Sequence, residues 1–177
     1  AYNAALGGCG RQRRWQLAVL LLLQMRGAGL LPDSLSLCAA IASCEAGRQW
    51  TLALELLRPL SAPGARPASV PAGPEAVLPF NAALSVCEKS RQWQHALGVF
   101  RSLHEAGLRP TLVTFNAVLC ACERARSWEA PLQLLEAMRR GRLPPDAASF
   151  GAAGGALQGA RRWAQALALA RTLPEAG

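Results

Sequence analysis

Residues 112–146 read LVTFNAVLCACERARSWEAPLQLLEAMRRGRLPPD, from Leu112 to Asp146. The first part sets Phe115, Val118, Leu119 and Cys122 at spacings of three and four, which predicts a helix with one buried face. Arg124–Ser127 is a polar break. A second helical pattern then carries Trp128, Leu132, Leu135 and Met138 on one face, with the tryptophan at its start. It stops at Gly141 and Pro144–Pro145, which cannot continue a helix. Pro131 falls in the first turn of this second helix, where amides lack intrahelical partners, so the helix is expected to survive it. The stretch is therefore a hairpin of two antiparallel helices. One hairpin cannot cover its own apolar faces, so it needs neighbours of the same kind.

The neighbours are visible as a ladder of tryptophans. Trp15, Trp50, Trp93, Trp128 and Trp163 stand 35, 43, 35 and 35 residues apart. Other residues keep step with them. An arginine precedes each by two places (Arg13, Arg48, Arg91, Arg126, Arg161) and a cysteine precedes the first four by six (Cys9, Cys44, Cys87, Cys122). Tyr2, Leu37, Phe80, Phe115 and Phe150 come thirteen before. A constant period of this size marks an all-α array of stacked helix-turn-helix units, about five of them, with a core shared between neighbours.

On this template the units are 1–33, 34–68, 77–111, 112–146 and 147–177. The residues 69–76, SVPAGPEA, form an insertion that accounts for the longer gap and is expected to be a surface loop. The last unit reads as the weakest. Gly151, Gly154, Gly155 and Gly159 crowd its first helix, each costing roughly 0.8–1 kcal/mol relative to alanine, and that end is expected to fray unless further units follow. The chain begins without methionine and partway into a unit, as expected of a piece of a longer array.

Composition narrows the function classes. The formal charge is +8 with pI near 10.1, which fits an acidic partner such as a nucleic-acid backbone, or else arginines that merely solvate helix faces. The six cysteines include four at one repeat position, which reads as equivalent packing slots rather than a disulfide framework or a zinc site. His95 and His104 have no ligand cluster around them, and no cofactor or metal is expected. The run Leu17–Leu23 is too short to cross a bilayer, which takes roughly 20 residues. It is expected to be a buried helix, and no membrane partner is implied.

The units resemble the pentatricopeptide repeat in their 35-residue length, paired helices, "FNA" near the start and "M…G…PD" at the end. Tyr2-Asn3-Ala4-Ala5-Leu6 through Pro32-Asp33, and Thr114-Phe115-Asn116-Ala117-Val118-Leu119 through Pro144-Pro145-Asp146, match in full. The tetratricopeptide alternative has a 34-residue period and a tryptophan in its first helix, whereas here the tryptophan opens the second. The resemblance covers the whole chain except the insertion and implies a right-handed α-solenoid.

It further implies binding of single-stranded RNA, one base per unit, without catalysis. The implied base-selecting residues are the fifth and last of each unit: Asn3 with Asp33, Cys38 with Ala68, Asn81 with Thr111, Asn116 with Asp146, and Gly151 in the fifth. Read 5′ to 3′, the implied target is U, unknown, pyrimidine, U, unknown. Leu35, Leu78 and Val113 occupy the slot that wedges between bases, with semi-exposed packing as the plain alternative. Arg11, Lys89 and Arg124 occupy a phosphate slot. The arginine before each tryptophan reads instead as a turn or stacking residue. Glu45, Glu88 and Glu123 lie on the same stripe and would repel a backbone.

The family resemblance also implies a mitochondrion or chloroplast, a role in transcript processing, stability, editing or translation, and other RNA-processing proteins as possible partners. DNA is not an expected target. A protein-interaction solenoid without RNA readout is the competing reading. One sequence feature supports the carry-over independently. The chain has three asparagines, all at selector positions, and two aspartates, both closing residues. Helix capping alone explains the aspartates. It does not explain asparagine inside a first helix, where its propensity is poor.

Overall fold

The computed structural model describes residues 2–12, 14–61, 74–161 and 164. Among them the secondary structure is helical throughout. α1 is Tyr2–Gln12, α2 Trp15–Gly27, α3 Ser34–Ala46, α4 Trp50–Ser61, α5 Leu78–Lys89, α6 Trp93–Glu105, α7 Leu112–Ala125, α8 Pro131–Arg140 and α9 Ala147–Gly159. The protein is an all-α solenoid of helix hairpins: α1, α3, α5, α7 and α9 pack each against the next, and each partner helix lies against its own first helix. No helix among the described residues is long and apolar enough to cross a membrane.

Equivalent residues fill equivalent slots in the shared core. Leu37, Phe80, Phe115 and Phe150 are buried, as are Cys9, Cys44, Cys87 and Cys122. Burial pushes the thiols of Cys44 and Cys87 up to about 11 and that of Cys122 to about 12, so these are packing groups rather than nucleophiles. Trp15, Trp50, Trp93 and Trp128 are half-buried and pack against the core from its edge. Two of them reach toward the following hairpin. Trp50 packs on His95 with ring centroids 4.4 Å apart and the rings tilted by 43°, and the Trp15 indole lies where a Cβ at Gly47 would come within 2.9 Å of its nitrogen. Gly47 is thus required for close approach.

Four features depart from the sequence-based expectation. Trp15, Trp50 and Trp93 open their helices, but α8 starts at Pro131, three residues after Trp128. Proline is preorganised for N1 and supplies no amide, so the helix begins with it. In the apolar run, α2 buries Ala18, Leu22 and Met25 but leaves Leu17, Leu20 and Leu23 exposed, since α1 and α3 together cover only one stripe of it. The insertion ends not as an open loop but in a 3-10 turn, Pro74–Val77, with Ala76 and Val77 buried under α5; residues 69–73 lie outside the described residues. Finally, α9 runs unbroken through its four glycines. Its Asp146–Ser149 capping box and the burial of Ala152, Ala153, Ala156 and Leu157 offset the glycine cost. The second helix of that unit, with Trp163, lies outside the described residues.

Four of the five arginines before the tryptophans are turn residues; Arg13 lies outside the described residues. Arg48, Arg91, Arg126 and Arg161 all have φ between 50 and 58°, in the left-handed region, where the chain reverses between helices. Arg142 takes the same conformation (φ 57°) at the far turn, where Gly29 and Gly107 hold the equivalent positions.

Candidate nucleic-acid interface

On α7 the buried face carries Phe115, Val118, Leu119 and Cys122, and the stripe Val113, Asn116, Cys120 and Glu123 points away from it. The same stripe recurs as Leu35, Cys38 and Glu45 on α3 and as Leu78, Asn81, Ser85 and Glu88 on α5. Because first helices stack on first helices, these stripes lie side by side on one surface. Leu35 and Val113 are 53% and 63% exposed, too open for a packing role, whereas Leu78 is half-buried.

Each asparagine is held from the next hairpin. The Asn3 amide nitrogen donates to Asp33 Oδ2 at 2.9 Å, while Asp33 Oδ1 accepts from the Ser36 amide at 2.7 Å and so caps α3. One carboxylate therefore does both jobs, the cap and the asparagine contact. The Ser36 hydroxyl donates to the Asn3 amide oxygen at 2.6 Å, with Asp33 Oδ1 at 2.7 Å as competing acceptor. The arrangement repeats at the other end of the array. Asn116 Nδ2 lies 3.3 Å from both oxygens of Asp146, Asp146 caps α9 through the Ser149 amide at 2.8 Å, and the Ser149 hydroxyl donates to Asn116 Oδ1 at 2.6 Å.

At the third hairpin threonines replace this set. Thr114 donates to Asn81 Oδ1 at 2.8 Å, and Thr111 caps α7. Cys38 sits half-buried at the corresponding place on α3, and Ala68 lies outside the described residues. Gly151 is exposed on α9 and offers no side chain.

Both aspartates are held below the ordinary carboxylate range. At Asp33 burial raises the pKa, but hydrogen bonds from the Ser36 hydroxyl and amide and from Asn3 outweigh it and hold the carboxyl below its ordinary value. At Asp146 the Ser149 amide and hydroxyl lower it, and Asn116 adds to this against a small opposing effect of burial. Both depressed values mean that the caps stabilise the fold at neutral pH and that this contribution fades as the pH falls through them.

The stripe is tied again at its other end. Lys89 pairs with Glu45, which also accepts from Ser85 Oγ at 2.9 Å, and Arg124 Nε pairs with Glu88 at 2.8 Å. Both glutamates are therefore neutralised by the following hairpin, rather than left to repel a backbone as expected in isolation. Glu123 differs, because the place of its basic partner is taken by Gly159 and it leans over Gly155. Lys89 and Arg124 are each about half exposed in their pairs. Arg11 lies on α1, but its side chain is outside the described residues. Sequence reasoning missed both inter-hairpin clamps. Their signal was a hydroxyl 33 residues after each asparagine, and a base one unit and one residue after a glutamate.

Comparison with known proteins agrees with this geometry. A pentatricopeptide repeat domain model matches residues 76–125, and a PPR repeat model matches residues 1–30 and 113–143. A search of curated protein sequences returned no match. The chain is similar to the crystal structure of the pentatricopeptide repeat protein PPR10 from maize, at 30% identity and a TM-score of 0.67, over 95% of this chain and 23% of that one. It also resembles PPR10 in complex with an 18-nt psaJ RNA element, at 23% identity and a TM-score of 0.70, over 94% of this chain and 23% of that one, a likeness of fold. The chain thus spans about a quarter of the length of these solved relatives.

Proposed function

The chain belongs to the pentatricopeptide repeat family, and from that premise we propose that it binds single-stranded RNA selectively, about one base per hairpin, without catalysis of its own. One observation carries this reading: Asn3, Asn81 and Asn116 stand at one register on a shared open surface, each with its amide fixed at both or one of its ends by the next hairpin. An amide so fixed directs a remaining N–H outward, where it can donate to the carbonyl oxygen of a pyrimidine. Leu35 and Val113, exposed beside these asparagines, are placed to wedge between successive bases. The +8 charge supplies attraction to the backbone. The reading extends, on family resemblance, to transcript processing, stability, editing or translation in a mitochondrion or chloroplast, together with other RNA-processing proteins.

The test is a titration with single-stranded RNA across a range of salt. Affinity is expected to fall linearly in log–log form, with a slope of about −0.7 per phosphate neutralised. Affinity that ignores both salt and base identity would remove RNA readout from consideration. Replacing Glu88 by glutamine releases Arg124 from its pair and takes one negative charge off the surface. The expected result is tighter binding by a few-fold and a salt slope steeper by about 0.7, read from the same titrations. The competing reading, a protein-contact solenoid, is favoured by the exposed Leu17, Leu20 and Leu23 on α2. Under it, Leu20→Glu abolishes partner capture while RNA affinity of the parent chain is negligible.

A further inference from the structure

The hydroxyls of Ser36, Thr114 and Ser149 are fully buried, at 0% exposure, yet each is hydrogen-bonded to an asparagine that lies 33 residues earlier on the preceding hairpin. All three sit at the third residue of their helix, where a hydroxyl completes a capping box, and α7 and α9 show that box. Capping does not call for the second contact. The pairing is also selective within the chain. Where the selector is Cys38 rather than asparagine, the corresponding residue of the next unit is Pro79, the second of α5, which has no hydroxyl.

Resting on the RNA-binding reading, we propose that Ser36, Thr114 and Ser149 are positioning residues for base selection: each hydroxyl fixes which way round the amide of the preceding hairpin's asparagine faces the RNA. A hydroxyl can donate or accept, but the Thr114 and Ser149 oxygens already accept from the backbone amides of Thr111 and Asp146, and Thr114 from the Thr111 hydroxyl as well. Each is left to donate its proton to the amide oxygen, and turning the amide over would set N–H against an occupied oxygen and the amide oxygen outward. The outward group would then change from donor to acceptor, and the base it suits would change with it. The hydroxyl is anchored in the core, so the orientation is fixed before RNA arrives and no ordering is needed on binding.

The dependence differs between hairpins. Asn3 and Asn116 also give an N–H to an aspartate, which only accepts and so enforces the same orientation. Asn81 has no carboxylate. Its closing residue is Thr111, whose hydroxyl lies 3.1 Å from that of Thr114. Since the Thr114 proton goes to Asn81, Thr111 donates to Thr114, and the relay runs from Thr111 through Thr114 to the amide oxygen. Orientation at Asn81 therefore rests on Thr114, and selectivity there is the most sensitive to its loss.

The experiment uses the 177-residue chain and RNA oligonucleotides that differ only at the base facing Asn81. Thr114→Val keeps the shape and removes the hydroxyl. It is expected to lower the pyrimidine-over-purine preference at that base about fivefold, the worth of one hydrogen bond, while preferences at other bases stand. Thr114→Ser is expected to restore the preference. Ser149→Ala is expected to change selection at Asn116 less, because Asp146 remains.

Side-chain 15N relaxation gives a readout that needs no RNA. The Asn81 amide is expected to be ordered in the parent chain and in Thr114→Ser, and disordered in Thr114→Val. Thr114→Ala stands in if the valine variant does not fold. An Asn81 amide that stays equally ordered without the hydroxyl overturns the proposal. Loss of that order in a parent chain that shows no base preference supports the positioning role and counts against the RNA reading instead.

Discussion

Replacing Phe80 by alanine is expected to destabilise the array by about 3–5 kcal/mol, the range for a fully buried phenylalanine, and to divide its unfolding into two steps. Phe80 is 1% exposed on α5, the middle of the five first helices, packed between α3 and α7. In a stacked array stability is close to a sum of unit and interface contributions, so a central defect separates the halves rather than lowering the whole evenly. This junction already lacks an aid the others have. α3, α7 and α9 begin at Asp33, Thr111 and Asp146, each with a side-chain cap, whereas α5 begins at Val77 with none and is reached through the 3-10 turn after the insertion. Phe150→Ala, at 8% exposure on α9, is expected to cost less and leave one transition. Urea titration followed by far-UV circular dichroism distinguishes the two. A single, coincident transition for Phe80→Ala with a loss under about 1 kcal/mol would show that the core is not shared along the stack as described.

The hairpins and the register of the asparagines were legible because both rest on periodicity, and the tryptophan ladder measures it directly. The ladder failed locally at Trp128, where a single proline outweighed the repeat and moved the helix start. It also could not choose a buried face for α2, since Leu17 to Leu23 are all apolar and present no stripe to read. The left-handed conformation of Arg48, Arg91, Arg126 and Arg161 was illegible for another reason: arginine has no side chain suited to that region, so nothing in its identity announces it. The polar clamps were hidden by a local explanation that is also correct. Asp33 and Asp146 read as capping residues, and only stacking brings them, with Ser36 and Ser149, onto the asparagines of another hairpin. Glu45 and Glu88 read as repulsive because a stripe was read one helix at a time. Their charges are balanced from the next helix, an offset that appears only once the spacing between stacked helices is known.

The double replacement Asn81→Ala with Asn116→Ala is expected to remove most base selectivity while leaving the salt slope unchanged. Each asparagine is expected to contribute about 1–3 kcal/mol to binding of its matching base, by analogy with other base-reading side chains, or roughly 5- to 150-fold in affinity. Neither carries charge, so phosphate neutralisation is untouched. Arg124→Ala should do the opposite, weakening all sequences alike because it leaves Glu88 unpaired on the surface, with base preference untouched. Stability must be read beside affinity, because the two sites differ in what the substitution leaves behind. Without Asn116, Ser149 still has Asp146 Oδ1 at 2.8 Å as acceptor, so little stability is lost. Without Asn81, the buried Thr114 hydroxyl loses its 2.8 Å acceptor and must turn to the Thr111 hydroxyl at 3.1 Å, which is expected to cost about 1 kcal/mol. Asn116→Ala is therefore the cleaner probe of RNA reading, and thermal melts of both single variants set the temperature at which the comparison is made. If both asparagines can be removed with the fold intact and base preference unmoved, selection does not reside in these amides, and the surface serves a partner other than RNA.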